Sequence, residues 1–154
     1  MPTGQVFVLD LVEIEHRTSD GKVKSRYIAI DALTNVGKAQ IAGLINGVVT
    51  TPFKYIAIGT GTTAASSSDT ALENETHRAL GTTSRETTNV SNDTAVVQAT
   101  FSGGWASGGE DISESGLFDA STGGNMLCRD TFTARHLEGD DELTVTWKVV
   151  VTEA

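Results

Sequence analysis

A chain of 154 residues with one cysteine, Cys128, suits a single domain that folds without a disulfide framework. Its 20 acidic and 11 basic residues give a net charge of −9, which favours solubility and argues against nucleic acid or an anionic membrane as partner. The 16 glycines, the many threonines and serines and the scarcity of proline favour strands and turns.

Only five lysines, against 20 acidic residues, also fit a protein adapted to high salt. Residues 1–5 lack the basic stretch of a signal peptide, and the apolar run over 6–14 is interrupted by Asp10 and Glu13. The longest mainly apolar stretch, 41–49, falls well short of the ~20 residues of a membrane span. A protein made in the cytoplasm and kept there until it joins a larger assembly is therefore expected.

Residues 6–16 are rich in β-branched side chains and read as a strand. Ser19-Asp20-Gly21-Lys22 supplies turn chemistry, and 23–30 resumes the strand pattern, giving a hairpin with its tip at Asp20-Gly21. The second strand alternates Val23, Ser25, Tyr27 and Ala29 with Lys24, Arg26, Ile28 and Ile30. Neither face is cleanly apolar near the tip, so the hairpin reads either as an arm reaching into water or a partner, or as the edge of the core sheet.

Thr34 or Asn35 caps a helix that runs to about Asn46 and stops at Gly47, with Val36, Ile41, Leu44 and Ile45 on one side. Gly37 and Gly43 weaken its intrinsic helicity, so packing must hold it. Residues 53–58 form a short apolar strand buried on both faces. A polar, uncharged loop follows over 59–68, after which Asp69 caps a single helical turn over 70–75 with Ala71 and Leu72 inward.

Further strands are expected at 83–89, 94–101, 111–119, 126–134 and 143–152. The turns between them fall at 90–93, 103–109, 121–124 and 138–141. The last strand sets Leu143, Val145, Trp147, Val149 and Val151 on one face, which is the core face. The expected fold is mainly β, a β-sandwich or jelly-roll-like domain with an N-terminal hairpin and one or two short helices. The chain divides into a hairpin arm over 1–31 and the sandwich domain over 32–154.

The chemistry-bearing patterns weaken on inspection. Gly59-Thr60-Gly61-Thr62-Thr63 resembles a phosphate loop but lacks the Gly-Lys-Ser/Thr ending, and reads as a turn leaving a buried strand. Cys128 has no base beside it in sequence and reads as a core or interface residue. His16, His77 and His136 show no metal spacing. The carboxylates at Glu110, Asp111, Asp119 and 138–142 do not follow a calcium-loop pattern and read as solvated. An aromatic content of 6% offers a thin platform for sugar, and no Gly-x-Ser-x-Gly elbow occurs. No catalytic residue, cofactor or metal ligand is assigned, and an enzyme is not expected. Trp105, set in Ser102-Gly103-Gly104-Trp105-Ala106-Ser107-Gly108-Gly109, anchors a contact either within the fold or across an interface.

Several stretches together resemble a known family. They are residues 34–47, then Phe53-Lys54-Tyr55-Ile56-Ala57-Ile58-Gly59-Thr60-Gly61-Thr62-Thr63 and Asp69-Thr70-Ala71-Leu72. Ile112-Ser113-Glu114-Ser115-Gly116-Leu117-Phe118-Asp119-Ala120, Met126-Leu127-Cys128-Arg129 and the run 139–147 complete the set. The pattern, spread over about residues 33 to 150, is similar to that of small virion structural proteins of tailed bacterial and archaeal viruses. Members are described as tail-fibre or structural proteins, and some resemble capsid-decoration proteins; the resemblance carries no catalytic residues.

The resemblance implies a structural virion protein. The first expectation is a homo-oligomeric decoration protein, trimeric or pentameric, bound to the major capsid protein or another virion protein. The alternative is a tail-fibre or tail-tip module that contacts the host receptor. Val8, Ser19, Asp20, Gly21, Lys22, Tyr27 and Trp105 are the expected assembly contacts.

Overall fold

The alternation read in the last strand organises the whole molecule. The computed structural model describes residues 5–31 and 33–153; the ends of the expected arm and sandwich domain at residues 1, 32 and 154 lie outside them. Its elements are β1 (Val6–Arg17), β2 (Val23–Asp31), α1 (Asn35–Asn46), β3 (Tyr55–Gly59), β4 (Glu75–Leu80) and β5 (Thr82–Glu86), followed by β6 (Thr94–Ser102), β7 (Glu110–Phe118), β8 (Met126–Leu137) and β9 (Glu142–Glu153). They form a five-stranded sheet ordered β2-β1-β9-β6-β5 and a four-stranded sheet ordered β4-β3-β7-β8. All the strand pairs are antiparallel, and the two sheets pack into a β-sandwich.

β1 and β9 pair along their full length, from Val6 opposite Glu153 to Arg17 opposite Glu142. This register sets Val12 beside Trp147 and Ile14 beside Val145, and the period of two carries all four into the core. Trp147 is fully buried and donates its Nε1 proton to Ser115 Oγ on β7 at 3.2 Å, tying one sheet to the other. Ile56, Ile58, Ile112, Leu117 and Leu137 fill the facing layer. Each such aliphatic side chain, fully buried, contributes about 1.5–3 kcal/mol relative to leaving it in water. At the far end of β9 the inward phase runs on without cover, and Val151 there is 53% exposed.

The helix forms where its caps place it. Thr34 Oγ1 accepts from Gly37 N at 2.8 Å and donates to Met126 O at 2.5 Å, so the N-cap is also bonded to β8. Gly47 ends the helix in the left-handed region at φ +80°. The expected apolar side needs correction: Val36, Ile41 and Leu44 are half-buried, but Ile45 is 82% exposed. The buried helix positions are instead Gly37 and Gly43, which let the helix backbone approach its neighbours. A Cβ at Gly37 would lie 2.5 Å from Leu127 O.

Two further expectations are corrected. Residues 70–75 form no helical turn; Ala71 is exposed, Leu72 alone points inward, and β4 begins at Glu75. The N–H groups of Glu73 and Asn74 donate to Glu114 on β7, which holds this segment in a non-helical path. The strand expected to reach residue 89 ends at Glu86. Beyond it, the N–H groups of Thr88, Asn89 and Val90 all turn onto the Asp93 carboxylate at 2.8, 2.8 and 2.9 Å.

Candidate functional site

Glu114 occupies the middle of β7, a strand buried from Ile112 to Phe118, and is itself fully buried. Its Oε1 accepts from Gly61 N at 3.0 Å and Asn74 N at 2.8 Å. Its Oε2 accepts from Glu73 N at 3.0 Å and Arg129 Nε at 2.9 Å. Arg129, on β8, also donates to Asp69 Oδ2 and to Thr63 O, each at 2.9 Å. One carboxylate–guanidinium pair thus gathers the loop 60–74 over the outer side of the four-stranded sheet, where Leu72 packs with Ala57, Phe118 and Met126.

The glycine-rich turn does present a backbone N–H to an anion, and the anion is the chain's own Glu114. A Cβ on Gly61 would come 2.6 Å from Glu114 Oε1, so the close approach requires glycine there. The motifs Gly59 to Thr63, Asp69 to Leu72, Ile112 to Ala120 and Met126 to Arg129 all meet in this network. Each segment is marked in the sequence, but the pairing of Glu114 with Arg129 comes only from the register of β7 with β8.

The expected assembly contacts fall into two groups. Ser19, Asp20, Gly21 and Lys22 form the exposed tip of the β1–β2 hairpin. Gly21 N donates to Thr18 O at 2.9 Å, Arg17 Nη1 donates to Gly21 O at 2.9 Å, and Gly21 adopts φ +87°. The side chains of Val8, Tyr27 and Trp105 are instead half-buried against the main core. Tyr27 packs on Phe132 with ring centroids 5.6 Å apart and donates its hydroxyl to Asp130 Oδ2 at 2.9 Å. Trp105 donates Nε1 to Asp141 O at 3.0 Å and meets His77 edge-on at 5.2 Å.

The hairpin carries a surface feature that the expected contacts omit. With Tyr27 and Ala29 turned to the core, the alternate residues Ile28 and Ile30 face outward, 63% and 68% exposed. The alternation in the sequence contained this pair, but the Tyr27–Phe132 contact is what fixes which face is which.

Beneath the hairpin, Asp10 lies opposite Asp31 in the β1–β2 register and is fully buried with neither carboxylate oxygen hydrogen-bonded. Burial first, and the Asp31 charge second, push its carboxyl up to about 7. Burial and a hydrogen bond with Asp31 raise Asp130 to about 6, and burial pushes the Cys128 thiol well up. Cys128 is thus an enclosed core thiol.

Several carboxylates read as solvated have partners instead. Glu110 binds His77 at 2.9 Å, Asp119 accepts from Asn125 N at 2.7 Å, and Asp141 binds the buried His16 at 3.0 Å. Among the described residues no group of His, Cys, Asp and Glu is arranged to hold a metal ion. Among them, too, no helix is long and apolar enough to cross a membrane.

Two packed sheets, a loop locked from within and an exposed hairpin define a β-sandwich. The model of a family described as Podophage GP4 fiber I protein gp80 matches residues 32–152. The chain belongs to that family, and so to the structural proteins of tailed-phage virions. No curated protein and no solved structure matches it. The family match begins just after β2, although Val12 and Ile14 of β1 belong to the core of the same sandwich.

Proposed function

We propose that this protein is a tail-fibre or tail-tip module of a tailed phage, working by contact with other virion proteins and the host surface rather than by catalysis. The observation that carries the reading is the family match, whose description names a fibre and which spans most of the chain. It favours the tail over capsid decoration. The fold is in keeping with this: the loop 60–74 is spent on internal bonds to Glu114 and Arg129, while the hairpin tip and its outward face are exposed. Synthesis in the host cytoplasm is followed by assembly onto the particle.

Quantitative mass spectrometry of purified virions, with immunogold labelling by antibody against this chain, tests the assignment. Few copies per particle and gold at the tail are expected. Capsid-like stoichiometry with gold over the head would overturn it in favour of decoration.

A further inference from the structure

β2 is an outer strand of the five-stranded sheet and pairs with β1 alone among the described strands. Free strand edges invite pairing, and proteins guard them with short strands, charges, prolines or bulges. β5, at the opposite edge of this sheet, is guarded: it has five residues, all exposed, with Arg85 and Glu86 at its end. β2 has nine residues, and its cations Lys24 and Arg26 lie in the half next to the tip. Its other half presents Ile28 and Ile30 outward, and the register sets Ile30 beside Leu11 of β1. Leu9, on the same face of β1, is 42% exposed.

We propose that β2 pairs antiparallel with β2 of a second copy of this chain, about a two-fold axis near Ala29, joining the two five-stranded sheets into one. An antiparallel two-fold at this point sets Ile28 of one copy against Ile30 of the other, so both apolar pairs are covered at once. Pairing β2 with β5 of the next copy would instead set the isoleucines against Thr82, Ser84 and Glu86, which match neither their chemistry nor their length. The hairpin tips, Ser19 to Lys22, stay free at the two ends of the joined sheet. The contact is independent of where the protein sits on the virion.

Sedimentation equilibrium on the purified full chain tests the proposal. The wild type is expected to be a dimer at tens to hundreds of micromolar. Ile28→Lys and Ile30→Lys, which set like charges across the axis, are each expected to raise the dimer Kd by about 30-fold or more. Far-UV circular dichroism should stay unchanged. The double change Ile28→Thr, Ile30→Thr keeps β-branched side chains and is expected to dissociate the dimer even if a lysine variant misfolds. Ser84→Lys on the opposite edge should leave the dimer intact. A wild type that is monomeric throughout, a dimer that survives the changes at both isoleucines, or a dimer dissolved by Ser84→Lys alone would overturn the proposal.

Discussion

Glu114 and Arg129 meet under the loop 60–74 with the arginine Nε and Nη2 each 2.9 Å from the same carboxylate oxygen, and neither side chain is more than 3% exposed. Removing one partner from a buried ion pair leaves the other charge uncompensated, which costs more than the pair itself contributes. Here the same carboxylate also holds three loop amides, so ion pairing and loop conformation rise or fall together.

Glu114→Gln is therefore expected to destabilise the protein by about 3 kcal/mol, at the low end because Asp69 still faces Arg129. For a chain of this length that lowers Tm by roughly 6–12 °C. Amide exchange should quicken at Gly61, Glu73 and Asn74 specifically. An unchanged exchange pattern in the loop would contradict the anchoring role.

Asp10 sets a pH dependence of definite sign. Its carboxyl is raised from 3.8 to about 7 in the folded protein. Below the lower value both folded and unfolded chains hold the proton, and nothing is lost. Between the two values the unfolded chain gives up its proton while the folded chain keeps it, so stability falls as pH rises, by up to about 1.4 kcal/mol per pH unit. Above about 7 the loss is complete. Asp10→Asn should be more stable than wild type at mildly alkaline pH, with the difference vanishing in acid; urea unfolding across the range measures it.

Gly37→Ala should destabilise even though alanine is the better helix former by about 1 kcal/mol. The new methyl would meet Leu127 O at 2.5 Å and Leu127 Cα at 2.9 Å, and strand backbone cannot yield cheaply. A net loss of about 1–3 kcal/mol is expected from overpacking. A rise in the denaturation midpoint would show that α1 is free to shift off β8.

The two tryptophans should separate by fluorescence. Trp147 is fully buried, whereas Trp105 is half-buried in a glycine-rich loop. Trp105→Phe is expected to leave a blue-shifted emission that iodide does not quench. It should cost about 1 kcal/mol for the lost hydrogen bond to Asp141 O. Red-shifted or quenchable residual emission would place Trp147 outside the core.

Patterns confined to one element were legible in the sequence. β9 announced its core face through strict alternation, and α1 through Thr34 at one end and Gly47 at the other. Features decided by distant partners were not. β4, Glu75–Leu80, has only exposed and half-buried positions, so no alternation marked it; its pairing with β3 places it. Asp69 has the chemistry of a helix cap, but Arg129 and Ser66 N claim its carboxylate. Ile45 fitted a helical stripe, but α1 packs through its glycines. Within the candidate site the turn at Gly21 was readable, whereas the outward facing of Ile28 and Ile30 became plain only from the contact of Tyr27 with Phe132.

The pairing of β1 with β9 gives the molecule a mechanical direction. Val6 and Glu153 sit side by side at one end of that pair, and the hairpin tip lies beyond the other end at Arg17. Tension applied between the two ends would open the ladder one rung at a time, as a zipper opens. Tension between the tip and Glu153 would load all the rungs in shear together, because the force enters on β1 and leaves on β9. A molecule gripped at its tip and tethered at Glu153 is therefore held along its strong axis.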